Sequence, residues 1–182
     1  FANSTGYVSY NASKHFNFQL GHDKNFLGDG YRSMLLSDNA LYYPFFKITT
    51  SVWKIKYMNL YTEFDDAYNG TVDSVVGVTR KFGSFHYLSW DVFPWVQVGL
   101  FEGIIWPAND TTRYRGFDVN YINPIIFFRP IEFGLGSPDN AVIGANIKFT
   151  PLDKLIIYGQ FIMDDLDVAA ARAGDGYYRN KF

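Results

Sequence analysis

The chain has no cysteine, no long apolar run and no excess of charge of either sign. Without cysteine there can be no disulfide, thiolate metal site or cysteine nucleophile. No apolar stretch approaches the roughly 18 residues that mark a transmembrane helix. Sixteen Lys and Arg against eighteen Asp and Glu leave a net charge of −2, which supplies no basic field for nucleic acid, so none is expected as a partner. The three histidines, His15, His22 and His86, lie too far apart in sequence to mark a metal site. No metal or other cofactor is expected. The opening residues Phe1-Ala2-Asn3-Ser4-Thr5-Gly6 include no initiator Met, no basic n-region and no apolar h-region. A signal peptide is therefore not seen, and the chain is read as a mature or internal piece of a longer one.

Aromatic residues are abundant instead. Phe, Tyr and Trp make up 20% of the 182 residues, with 18 Phe and 14 Tyr, yet the mean hydropathy is only −0.10. Rings in that number, left in water, would promote aggregation. Interleaved with as many polar residues, they suit strands with one face toward lipid and the other toward water.

Period-two segments bounded by turn residues recur along the chain. Phe16, Phe18 and Leu20 alternate with His15, Asn17 and Gln19. Residues 43–64 form a long extended run whose apolar phase slips at Val52-Trp53, predicting a bulge or a short turn there. Residues 74–82 and 84–92 read as two strands joined at Gly83, and residues 96–105 as another between Pro94 and Pro107. Ala141, Ile143, Ala145, Ile147 and Phe149 alternate with smaller or polar residues. They lead through a short connection at 150–154 to a partner strand over 155–163. Longer loops are expected at 65–71, 107–116 and 134–140. Helical signal is confined to a turn or two at 33–40 and to 164–173. The sum is about eight to ten strands at a spacing of about ten residues, typical of transmembrane β segments. One all-β domain over 1–182 is expected: an antiparallel transmembrane β-barrel, partial in this chain. A soluble sandwich also alternates. Its core favours Val, Ile and Leu over Phe and Tyr, and it has no use for mid-strand Asn17, Gln19, Asn146 and Gln160.

Catalytic patterns are weak. Gly28-Asp29-Gly30 lacks the third glycine, following helix and Lys-Ser/Thr pair of a phosphate loop, and reads as a turn. Asp164, Asp165 and Asp167 lack the spacing and glycine pivot of a calcium loop. No Gly-x-Ser-x-Gly elbow is present, and no nucleophile and base can be paired. The chain is therefore expected not to be an enzyme. Asp73-Ser74-Val75 matches the Asp-Ser/Thr-apolar pattern of bacterial O-glycosylation, making Ser74 a candidate modification site.

Two segments stand out. In residues 28–40, Ser37, Asp38 and Asn39 cluster beside the apolar Met34-Leu35-Leu36, a pattern that local capping alone can produce. In residues 120–133, Arg129 and Glu132 are set in a strongly apolar run. In a barrel wall such charges face the lumen or pair, and a bracing pair and a ligand contact both remain open.

These segments carry a family resemblance. Lys24-Asn25-Phe26-Leu27-Gly28-Asp29-Gly30 followed by Leu35-Leu36-Ser37-Asp38-Asn39-Ala40 resembles a signature of Wzi-like capsule-assembly proteins, nearest their RemB-like gliding-motility relatives. Asn123-Pro124 through Arg129-Pro130-Ile131-Glu132, then Gly136-Ser137-Pro138-Asp139-Asn140, resembles a second shared stretch, and Tyr158-Gly159-Gln160-Phe161-Ile162 with Asp164-Asp165 a third. The likeness spans about residues 21–176. Met34 stands where Leu is usual and Asp29 where Pro or Asn is commoner. The resemblance implies a bacterial outer-membrane barrel, embedded in lipid, that binds or organises surface or capsular polysaccharide. The other readings are a structural or adhesion component of a gliding-motility or secretion assembly, contacting envelope proteins, and a diffusion porin. Gly28, Gly30, Ser37, Asp38, Asn39, Asn123, Arg129, Glu132, Asp139 and Asn140 are the motif residues, in structural or ligand-lining roles. Tyr68, Trp106, Tyr114 and Tyr121 are candidates for stacking on sugars or for an interfacial aromatic girdle.

Overall fold

The alternating segments pair in the order in which they occur. In the computed structural model, residues 4–66, 79–108, 115–125 and 140–164 are described. Their eight strands are β1 (Gly6–Asn11), β2 (Phe16–Asp23), β3 (Tyr43–Val52), β4 (Ile55–Asp66), β5 (Thr79–Phe93), β6 (Val96–Pro107), β7 (Asn140–Leu152) and β8 (Leu155–Asp164). All belong to one antiparallel sheet in which each strand lies beside its neighbours in sequence. The chain is thus all-β, a single meander, and among the described residues there is no second sheet for it to pack against as in a sandwich.

Connections alternate in length. Residues 12–15, 53–54, 94–95 and 153–154 make short turns at one end of the sheet, whereas residues 24–42, 67–78 and 108–139 make the longer connections at the other. The phase slip at Val52-Trp53 is the β3–β4 turn itself, with Trp53 in the left-handed region at φ 54°. Strand β7 runs on through Thr150-Pro151-Leu152, with a register shift between Phe149 and Leu152, so the final turn is only Asp153-Lys154.

Three expectations are corrected. Gly83 does not join two strands: β5 is continuous through it, and a Cβ there would come within 2.8 Å of both Phe85 and Thr62 side chains. The glycine makes room for neighbouring rings where a turn was expected. Strand β4 continues through Asp65 and Asp66, which were expected to begin a loop. Residues 33–40 form no helical turn; Leu36 instead makes an isolated antiparallel bridge to Leu27. Burial of Leu27 and Leu35 under the sheet outweighs the weak local helix preference. Of the segment 164–173, expected to be helical, Asp164 ends β8, and residues 165–173 lie outside the described residues, as do Tyr68, Tyr114 and Ser74.

Pairing assigns every side chain to a face. One face, here called inner, carries Asn17, Gln19, Lys47, Thr49, Lys56, Asn146 and Gln160 toward its two flanks, with Phe45, Leu60, Phe85, Tyr87 and Phe101 between. The opposite, outer face carries Val8, Phe16, Leu20, Phe46, Ile48, Leu100, Ile147 and Phe161, most of them exposed. Gly21, Gly83, Gly99, Gly103 and Gly144 all fall on the inner face, where an added Cβ would collide with a neighbour within 2.4–2.8 Å. Crowding confined to one face is what a sheet bending toward that face produces, and glycine is the residue that permits it.

The inner core is a chain of rings. Tyr43 meets Phe64 edge-on at 4.8 Å, Phe64 meets Phe85 at 6.2 Å, and Phe85 stacks with Phe101 at 6.1 Å. Each such pair contributes about 0.5–1.5 kcal/mol beyond its burial. Leu27 and Leu35 of segment 24–42 sink into this cluster. Gly144→Val should expel Leu35, whose Cδ2 would lie 2.6 Å from the new Cβ, and cost about 1–3 kcal/mol. Gly159→Ala, whose Cβ meets only Ile147 at 3.5 Å, should be neutral. Denaturant melts of the two variants in detergent check this, and equal midpoints would show that the inner face is not packed.

Candidate functional site

Segment 24–42 leaves β2 and crosses the inner face before returning as β3. The Leu27–Leu36 bridge, with the Leu27 amide donating to the Leu36 carbonyl at 2.9 Å, shapes it into a narrow loop. Gly28 and Gly30 turn that loop in left-handed conformations, φ 100° and 107°, which side chains with a Cβ rarely adopt. Their flanking space is also closed, by Gln160 and Ser33 at Gly28 and by the Tyr158 ring at Gly30.

Between the two glycines Asp29 meets the wall. The Asn146 amide donates to its carboxylate at 2.7 Å and the Lys148 ammonium at 3.0 Å, while the Asp29 amide donates to Asn146 Oδ1 at 3.3 Å. Gln160 Nε2 donates to Asn146 Oδ1 and to Ser33 Oγ, both at 3.1 Å, and its Oε1 accepts the Met34 amide at 2.9 Å. Ser33 donates onward to the Leu27 carbonyl. At the other flank Lys47 donates to Asn25 Oδ1 at 3.0 Å, and the Asn25 amide to the Tyr43 hydroxyl at 3.1 Å. From Lys148 the polar line continues down the strands, through Gln97 Oε1 at 3.0 Å and from Gln97 Nε2 to Asp91 at 2.5 Å. Magnitudes assign the roles. Burying Leu27 and Leu35 is worth about 1.5–3 kcal/mol each, whereas a part-exposed ion pair is worth about 0–1 kcal/mol. Apolar burial holds the segment down; the polar contacts fix which wall residues it faces.

The outer face carries a second cluster. Asn59, His86 and Glu102 stand opposite one another on β4, β5 and β6, all buried, with His86 Nδ1 3.8 Å from Glu102 Oε2. The His86 ring leans on Tyr57 at 5.8 Å. Residues 115–125 are tied down over these strands by three hydroxyls: Ser84 donates to the Tyr121 carbonyl at 2.8 Å, Tyr61 to Ile122 at 2.9 Å and Tyr57 to Pro124 at 2.7 Å. Trp106 and Tyr121, expected on loops or strand ends as stacking or girdle residues, are instead fully buried and packed together at 4.7 Å. Neither can offer a ring to a sugar.

Of the motif residues, the structure brings Gly28 and Gly30 into the inner network. Ser37, Asp38 and Asn39 stay outside it, Ser37 Oγ accepting the Asn39 amide at 3.2 Å as a local turn contact. Asn123 lies on the outer-face segment, where its Oδ1 accepts the Ile125 amide at 3.1 Å. Arg129, Glu132 and Asp139 lie outside the described residues, as does the side chain of Asn140, which opens β7. Asp29, Ser33, Lys148 and the Asn59–His86–Glu102 cluster were not foreseen as site residues. A signal for the cluster exists: Asn59 interrupts Tyr57 and Tyr61, and Glu102 interrupts Leu100 and Ile104, at positions where alternation calls for apolar side chains.

The chain was compared with known families, curated proteins and solved structures. It matches none of them.

Asp118, just before the 3-10 turn Val119–Ile122, is the charged anchor of the outer segment. Burial pushes its carboxyl up. Hydrogen bonds from Arg115 and Asn120 outweigh that and hold it below the usual carboxylate range. A lowered folded pKa stabilises above the unfolded value, and the gain is lost as pH falls through the folded one. The Asn120 amide, donated to Asp118 at 3.0 Å, should therefore lose exchange protection in acid, after correction for intrinsic rates, and Asp118→Asn should abolish that dependence. On the inner face, Asp29→Ala leaves the buried Asn146 amide without its acceptor and should cost about 1–3 kcal/mol, read as faster proteolysis within residues 24–42. An unchanged cleavage rate would mean that the loop is held by its leucines alone.

Proposed function

We propose that this chain is wall of a bacterial outer-membrane β-barrel that binds or organises surface polysaccharide. The observation that carries the reading is the contrast between the two faces of one eight-stranded sheet. The apolar face is exposed across both flanks, at Val8 and Leu20 on one side and Ile147 and Phe161 on the other, where water would be a poor solvent for it. Strands of 10–15 residues in β3–β8 are long enough to cross a bilayer at a tilt. Short turns at one end and long connections at the other match the periplasmic and external ends of such barrels. Trp53, Trp90 and Trp95, three of the four tryptophans, sit exposed at the short-turn end, where an interfacial girdle would lie.

On this reading residues 119–125 lie against lipid, below Arg115 and Gly116, which are held at the long-connection end by Ala108 and Trp106. Irregular backbone is tolerated there only if its polar groups are satisfied. The three wall hydroxyls on the Tyr121, Ile122 and Pro124 carbonyls supply such partners, while Val119 and Ile125 point their apolar side chains outward. The polysaccharide role draws on the likeness to Wzi-like and RemB-like proteins and on the inner row of Asn, Gln, Lys and Asp groups, which can hydrogen-bond sugar hydroxyls. A scaffold role in adhesion or motility is favoured by one feature, the exposed Val119 and Ile125, which could meet a protein as well as lipid. A wide diffusion pore is disfavoured by segment 24–42, which occupies the inner face.

Leu100→Arg, on the outer face, should cost about 2–4 kcal/mol at mid-bilayer and block insertion into vesicles, scored by heat-modifiable gel mobility. Thr49→Arg, on the inner face, should insert normally. If both insert alike, the outer face does not meet lipid. The inserted protein should then retain purified capsular polysaccharide; retention no better than that of protein-free vesicles would leave the scaffold role.

A further inference from the structure

The polar line along the inner face ends in a cavity. Asp29, Lys148, Gln97 and Asp91 follow one another toward the short-turn end. There Asp91, Gln97, Lys148 and Thr150 share a hollow of about 310 Å³ with Phe93 and Trp95 of the β5–β6 turn. We infer that this hollow is a saccharide subsite receiving one uncharged, hydroxyl-rich pyranose unit. The inference rests on the polysaccharide reading above and adds to it a sugar class and a place, the short-turn mouth of the inner face, which that reading sets on the periplasmic side.

The rings provide a held platform. Phe93 and Trp95 stack at 5.2 Å with planes 8° apart, and Trp95 meets Phe149 edge-on at 5.4 Å. The Thr150 amide donates to the Trp95 carbonyl at 2.8 Å, fixing the turn against β7. Trp95 is nevertheless 48% exposed, so part of its surface remains open to the C–H groups of a sugar ring. A girdle role accounts for the two rings. It does not account for a line of hydrogen-bonding side chains ending in the same hollow.

The polar groups set the class. A carboxylate offers about four acceptor positions, and Asp91 is exposed with Gln97 as its side-chain donor, leaving acceptor capacity for sugar hydroxyls. Of the two charged side chains lining the hollow, the Lys148 ammonium is matched by Asp29, which leaves the Asp91 carboxylate. That balance favours donors and repels carboxylates, selecting neutral sugars over uronic acids. The size, near the lower end for ligand pockets at about 300 Å³, suits a single ring and not a chain lying flat.

The test uses the whole chain folded in detergent, titrated calorimetrically and by tryptophan fluorescence. The probes are neutral gluco-, manno- and galacto-oligosaccharides, and oligogalacturonate as the charged counterpart. At least one neutral series should bind, with oligogalacturonate about tenfold weaker or worse. Trp95→Ala should weaken binding about tenfold, the equivalent of one lost ring contact, and Trp95→Phe should weaken it less. If Trp95→Ala fails to fold, Gln97→Ala and Thr150→Val carry the test with the same expected direction. Folded variants that bind like the parent would overturn the subsite while leaving polysaccharide binding intact. A parent that binds no oligosaccharide of the panel would overturn both. Preference for oligogalacturonate would overturn the assigned sugar class.

Discussion

The antiparallel register across β4, β5 and β6 is the constraint on which the rest depends. With a side-chain period of two, one residue of slip would exchange the faces. It would put Phe85, Tyr87 and Phe101 outside and bring His86 and Glu102 under segment 24–42. The observed pairing, Leu60 opposite Phe85 and His86 opposite Glu102, gives the inner segment an apolar bed and keeps His86 and Glu102 on the far side. Several features hold that register. Two-residue turns at 53–54 and 94–95 leave little freedom, and Gly99 and Gly103 fit only where the Tyr87 and Phe85 rings pass over them.

The two faces solve the same problem in opposite ways. An irregular segment laid on a sheet must satisfy its own backbone polar groups. On the inner face, segment 24–42 uses wall side chains, Asn146 and Gln160 supplying oxygens to its amides, with leucines providing most of the attachment. On the outer face the polarity is reversed. Segment 115–125 presents carbonyls, and the wall supplies hydroxyls of Ser84, Tyr61 and Tyr57. Tyr suits that position because its ring is content in an apolar band while its hydroxyl reaches a partner. The aromatic abundance of the composition thus divides into inner core rings, outer hydrogen-bonding tyrosines and turn-end tryptophans.

Much of this organisation could be read along the chain. The alternation of Phe16, Phe18 and Leu20 with Asn17 and Gln19 predicts β2, and the alternation after Ala141 predicts β7 and its hairpin partner. The slip at Val52-Trp53 marks a turn because a change of phase costs a strand its face. Gly83 misled because a glycine that ends a strand and one that makes room for a neighbouring ring are identical in sequence. Residues 33–40 misled because their helix preference is a local property, worth tenths of a kcal/mol per residue, and burial of Leu35 in a distant aromatic cluster is not. Trp106 and Tyr121 looked available for a ligand because loop position suggests exposure; their contact spans residues whose proximity no local pattern records.

The sequence by itself determined the all-β class, most of the strands and which side chains share a face within each strand, because those follow from a local period of two and from turn chemistry. Tertiary structure alone decided which face would be crowded, that Asp29 would meet Lys148 and Asn146 from more than a hundred residues away, and that Asn59, His86 and Glu102 would stand in one row. These depend on the relative register of several strands. Register is set by the summed packing of many pairs and by which glycines yield space to which rings, and no short stretch of chain contains that sum.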